Sequence, residues 1–126
     1  MKTKLLVGFV SLVVALAVTS TASMAYITNA RVAARWVPQS QSLNRSKNVA
    51  DFQHPTVGVF CVLPSITINT TNVYPQVSVD YGQSNTAPAF AGWLTVATNC
   101  PQGYVEIVTY TSAGNLSDDV AWDMIL

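Results

Sequence analysis

Cys61 and Cys100 are the only thiols of the 126-residue chain, and His54 is its only imidazole. These residues permit few kinds of chemistry. A redox-active pair wants Cys-x-x-Cys spacing at a helix N-terminus, and these two cysteines are far outside it. Zinc wants about four ligands in a tetrahedron, and His54 alone could join the two sulfurs. What remains is one structural disulfide, Cys61 to Cys100, provided the chain reaches an oxidising compartment.

Acid-base or nucleophilic catalysis finds little material. His54 precedes Pro55 and reads as a hairpin-turn residue rather than a poised base. No Gly-x-Ser-x-Gly elbow occurs, and Lys47 sits beside Arg45 in a polar, solvated stretch. Asp80 and Glu106 are the carboxylates a glycosidase would have to oppose across a cleft, but each falls on the polar side of its strand. Asp118, Asp119 and Asp123 are the densest acidic group; they lack the spacing of a calcium loop and read as a solvated strand entry. Neither an enzyme, a cofactor nor a metal is expected. Six basic against six acidic side chains leave no basic footprint for nucleic acid. Asn44-Arg45-Ser46, Asn69-Thr70-Thr71 and Asn115-Leu116-Ser117 match the N-glycosylation pattern, which matters only where the source glycosylates its exported proteins.

Position in the cell is more legible. Lys2 and Lys4 precede an uncharged apolar run over residues 5–18, shorter than the roughly 18 to 20 residues that span a bilayer. Small residues follow, with Ser23 and Ala25 suited to a signal peptidase. Residues 1–25 are therefore expected to be a secretory signal peptide and residues 26–126 one domain, secreted or held in the cell envelope, with no stable membrane insertion after cleavage. The domain keeps Arg31, Arg35, Arg45 and Lys47 against Asp51, Asp80, Glu106, Asp118, Asp119 and Asp123, a formal charge of four minus six, or −2. The basic residues all precede the acidic ones, so the first segment is expected to lie across the acidic body as an ion-pairing strip.

The elements that must position these residues are strands. β-branched and aromatic runs alternate with Asn, Ser, Thr, Gly and Pro, and no amphipathic helix appears. Residues 30–37 alternate, with Val32, Ala34 and Trp36 on one face; residues 39–48 read as a loop. Residues 48–53 and 57–63 suit a hairpin turning through His54, Pro55 and Thr56, with Val57, Val59, Cys61 and Leu63 inward. Short strands are expected over 66–69 and 75–81, the second with Val77, Val79 and Tyr81 inward, then a loop over 82–88. Residues 91–98 and 104–111 pair through a type I turn, and 119–125 ends the chain with Val120, Trp122 and Met124 on one side. About seven strands make a small antiparallel β-sandwich. Trp93 falls close before Cys100 instead of shortly after Cys61, which does not fit the immunoglobulin spacing.

If Leu94 and Val96 share the buried face with Val105 and Ile107, then Trp93 and Thr95 join Tyr104, Glu106, Val108 and Tyr110 on the other. Trp93, Thr95, Tyr104, Glu106 and Tyr110 are thus the candidate binding face, an aromatic platform beside a carboxylate that suits a glycan or another extracellular protein.

The succession ARVAARW, GVFCVLP, VSVDYG, Cys100-Pro101, VEIVTYT and DVAWDMI resembles a β-rich domain of exported bacterial proteins without an assigned activity. The resemblance implies the same fold and export, and brings no residue roles with it. The expected function is that of an exported, non-enzymatic interaction or envelope-associated domain. The alternatives are a secreted enzyme inhibitor presenting residues 82–88 and a small hydrolase built on His54 or a carboxylate pair.

Overall fold

A computed structural model describes residues 30–69, 72, 74–87 and 89–126. The signal peptide and its cleavage site lie outside the described residues, as do Thr70 and Thr71 of one glycosylation pattern and Pro88 of the 82–88 loop. The described residues form eight strands and no helix: β1 (Ala33–Val37), β2 (Ser42–Lys47), β3 (Val49–Thr56), β4 (Val59–Pro64), β5 (Gln76–Val79), β6 (Ala89–Leu94), β7 (Val105–Thr111) and β8 (Trp122–Ile125). They pair antiparallel in two four-stranded sheets, ordered β2-β1-β8-β5 and β3-β4-β7-β6. The fold is the all-β antiparallel sandwich the alternation predicts, with a strand gained over 42–47 and none over 66–69.

The core lies between the sheets. Ala34, Trp36, Trp122 and Met124 from one face meet Phe60, Val62, Val105 and Ile107 from the other, all buried. The aromatic members interlock, with Trp36 and Phe60 ring centroids 4.8 Å apart and Phe60 and Trp122 at 5.4 Å. Burying such side chains is worth roughly 1.5 to 3 kcal/mol each. Strands 1 and 8, the two ends of the described chain, pair at the centre of their sheet, with Trp36 opposite Trp122.

The extra strand is β2, placed where the sequence reads as a loop. Its residues SLNRSK have poor strand propensity, and only Leu43 packs on the core. Pairing with β1 along one side overrides that propensity, and the polar side chains suit an exposed edge. Asn48, at φ 53, then turns the chain from one sheet to the other, its side-chain amide donating to the Arg31 carbonyl at 2.6 Å. Asn tolerates this left-handed conformation better than most residues.

The β3-β4 turn also differs from expectation. His54, Pro55 and Thr56 belong to β3, where an edge strand admits proline, and the chain reverses at Val57 and Gly58. Gly58 has φ +68, and a Cβ there would stand 2.6 Å from the Ser117 nitrogen and 2.8 Å from the Thr109 oxygen. In β4 it is Phe60 and Val62 that face the core. Cys61 points to the outer side of its sheet, yet is fully buried there beneath the segment carrying Cys100. The Cys61–Cys100 disulfide closes a separation of 39 residues with Cα atoms 5.6 Å apart.

Residues 66–69 form no strand, although Ile66 and Ile68 pack against the core. Tyr81 lies past β5 in a turn and is 61% exposed rather than inward. The β6-β7 connection closes one residue later than a Cys100-to-Gly103 type I turn. Tyr104 N–H donates to the Pro101 carbonyl at 3.2 Å, and Gly103, at φ +93, takes the third position as in a type II turn.

Candidate functional site

Register across the β2-β1-β8-β5 sheet places Arg45 opposite Arg35, Arg35 opposite Asp123, and Asp123 opposite Ser78. Because Ala34, Met124 and Val77 on the same strands turn toward the core, this row runs across the outer face. The Arg35 guanidinium is paired with Asp80, which follows β5, and its Nε stands 3.7 Å from Asp123 Oδ1. Asp80 is itself held by the Gly82 N–H, donating to its Oδ1 at 2.9 Å. Arg35, from the basic first segment, thus meets two acidic residues of the later chain, as expected for that residue. Burial pushes the Asp123 carboxyl above its ordinary value; Arg35 opposes that shift and Asp80 adds to it.

This row lines a cleft of about 730 Å³ together with Pro75, Gln76 and Val77 of the β5 segment and Ala91, Gly92 and Trp93 of β6. Strands β5 and β6 belong to different sheets but run alongside each other. Trp93 is half-buried and packs T-shaped with Tyr74, centroids 5.8 Å apart at 75°, while Tyr74 itself is 79% exposed. An indole and a charged donor-acceptor row thus converge on one concavity of ordinary ligand-site size, with an exposed phenol packed against the indole.

The five residues of the expected platform do not share it. Trp93 pairs with Ile107, and Leu94 with Glu106, one residue out of the parity the sequence suggests. Trp93 is consequently on the opposite face of the sheet from Glu106 and Tyr110. Thr95 lies past the end of β6 and is exposed. Tyr110 is opposite Phe90 and bridges to Leu116. Tyr104 donates its phenol hydrogen to Asp51 Oδ2 at 2.5 Å and accepts from Gln53 Nε2 at 2.9 Å. That contact holds the Asp51 carboxyl below its ordinary value and raises the Tyr104 phenol. Glu106 is fully buried: its carboxylate accepts from Thr98 N–H at 2.7 Å, Asn99 N–H at 2.9 Å and the Asn99 amide at 2.7 Å. Those bonds outweigh desolvation and leave its carboxyl lowered.

His54 and the acidic group serve the framework. His54 stacks on Phe60 at 4.6 Å and 7°, and its Nε2 is 2.8 Å from Asp118 Oδ1, the oxygen that also accepts Gly58 N–H at 2.6 Å. Asp118, Asp119 and Asp123 go to separate places: the β3-β4 turn, the Asn85 backbone and the cleft. Among the described residues no group of three or more His, Cys, Asp or Glu could hold a metal. Glu106 faces away from the sheet that carries Asp80, so those two carboxylates do not oppose each other across a cleft.

The sequence reasoning missed Arg35, Asp123 and Gln76 as site residues. Each does fall on the polar side of its strand, which is a signal, but nothing in the sequence pairs the first strand with the last. Comparison with family models, with curated proteins and with solved structures found no match.

Proposed function

We propose that this is an exported, non-enzymatic interaction domain that seats its ligand in the cleft beside Trp93. The observation that carries the reading is the convergence of Trp93 with the Arg35–Asp123 row on one 730 Å³ concavity. The buried disulfide is compatible with an extracytoplasmic location, and the signal-peptide pattern of residues 1–25 and the resemblance to exported β-domains support the same reading. The non-enzymatic part rests on how the titratable groups are spent: His54 and Asp118 on the β3-β4 turn, and Glu106 on the segment before Cys100.

Acrylamide quenching tests the site. Trp36 and Trp122 are 1% and 0% exposed, so quencher reaches Trp93 selectively. Soluble cell-wall fragments should reduce that quenching in the wild type and leave Asp123→Ala unchanged. Equal quenching with and without the fragments, together with no co-sedimentation on intact wall material, would remove the cleft as the site.

A second reading, inhibition of an extracellular enzyme by the loop over 82–88, has one observation in its favour. The loop is pinned at several points: Ser84 Oγ donates to the Asp80 carbonyl at 2.7 Å and accepts Ala121 N–H at 2.9 Å, and Asn85 N–H donates to the Asp119 carbonyl at 2.7 Å. Pre-organisation of this kind favours insertion into a cleft. A screen against secreted proteases that shows no inhibition dismisses it.

A further inference from the structure

We infer that the cleft takes a neutral saccharide, with one sugar ring on the face of Trp93 and neighbouring hydroxyls of the chain bridging Arg35 and Asp123. The inference rests on the cleft being the ligand site and names the chemistry that fits it.

The first support is the separation of Arg35 Nε from Asp123 Oδ1, 3.7 Å. N–H···O hydrogen bonds fall at roughly 2.7 to 3.2 Å, so the two groups attract without satisfying each other. A hydroxyl both accepts and donates, and a pair of adjacent hydroxyls can accept from the guanidinium and donate to the carboxylate at once. Bonds of this charge-assisted kind are the stronger ones. Asp80 holds the guanidinium at Nη2, which restrains it before any ligand arrives.

The second support is charge. Arg35, Arg45 and Asp123 line the cleft and Asp80 pairs with Arg35 beside it, so the charges around the row balance and neither an anion nor an ammonium gains net attraction. The third is the aromatic wall. Trp93 lines the cleft, packed T-shaped with Tyr74, and its ring is a flat apolar surface with a polar rim that suits the C–H face of a sugar. A peptide would instead seek an unpaired strand edge, and here β6 runs along β5 on the side the cleft occupies.

The test titrates the purified protein by calorimetry with four neutral hexasaccharides, namely cellohexaose, chitohexaose, mannohexaose and maltohexaose, and with hexagalacturonate as the anionic probe. At least one neutral hexasaccharide should bind one to one and suppress acrylamide quenching of Trp93. Hexagalacturonate should bind about tenfold more weakly or not at all. Trp93→Ala and the isosteric Asp123→Asn should each weaken the neutral ligand by about tenfold, while Phe90→Ser, on the far face of β6, should leave it unchanged. Preference for hexagalacturonate, or full affinity in Asp123→Asn, overturns the inference. If cell-wall fragments shield Trp93 while no neutral hexasaccharide binds, the saccharide is wrong and the cleft stands. If nothing shields Trp93, both fall.

Discussion

Cys61 lies directly opposite Glu106 in the β4-β7 register, and both side chains reach the same segment of chain from the outer face of their sheet. Cys61 holds it covalently through Cys100, and Glu106 holds it through the N–H groups of Thr98 and Asn99. A polar strand position that looks like surface is therefore a fully buried anchor.

Glu106→Gln should cost about 2 to 3 kcal/mol at pH 7, because a carboxylate that accepts several hydrogen bonds is replaced by a group that cannot accept them all. The carboxyl is lowered from 4.5 in the folded state, so its contribution is complete above that value and is lost as the pH falls through the folded value. Urea unfolding of both proteins from pH 7 to pH 3 should show the gap between them closing in acid. A gap that persists at pH 3 would mean the loss comes from packing.

Removing the crosslink in Cys61→Ala/Cys100→Ala should lower stability by about 4 kcal/mol on the chain-entropy account of a 39-residue separation. Urea melts of the double variant, and of the wild type with reductant, should agree. A loss below about 1 kcal/mol would show that Glu106 and the turn at Gly103 already hold the segment.

Gly58→Ala should be far more costly than Gly114→Ala. Both glycines have positive φ, but a Cβ at Gly58 would press on the backbone of Ser117 and Thr109, whereas at Gly114 it meets nothing. About 1 to 2 kcal/mol is expected at Gly114 from the left-handed backbone alone, and well above that at Gly58. Equal thermal midpoints for the two variants would refute the close approach.

Tyr104→Phe should raise the Asp51 carboxyl toward its ordinary value of 3.8 with little change in stability, since the pair is only partly buried. A carbon-detected titration of Asp51 reads this directly. An unmoved titration would mean that Gln53 alone sets it.

Asp123→Asn should fold as well as the wild type at pH 7, or better. Its carboxyl is raised above 3.8, so the ionised form is disfavoured in the fold; stability is fullest below that value and is lost as the pH rises through the folded value. The amide removes that penalty and, on the saccharide account, weakens binding. A marked loss of stability would make Asp123 a framework residue.

The fold was largely legible because alternation, turn residues and two cysteines depend on neighbours in the chain. Trp36, Trp122 and Met124 could be placed in the core from spacing alone. The strand β2 could not, since SLNRSK owes its conformation to pairing with β1 and not to its own propensity. The site was legible only as a residue. Trp93 could be named as a candidate aromatic, but its face turns on a single step of register, and Leu94 opposite Glu106 settles that step against the expected one. The apparent apolar parity of Leu94 and Val96 misled because both are exposed, at 37% and 72%. Arg35 and Asp123 meet only because the first and last described strands pair, a contact that local pattern does not encode.

The most direct test of the cleft is the set of indole N–H signals in a nitrogen-correlated NMR spectrum. The indole nitrogens of Trp36 and Trp122 are buried and have no partner among the described residues, while Trp93 opens on the cleft. Titration with the best-binding neutral hexasaccharide should shift the Trp93 indole and the Gly92 amide and leave the other two indoles in place. Shifts centred on Phe90 and Leu94, with the Trp93 indole unmoved, would contradict the account.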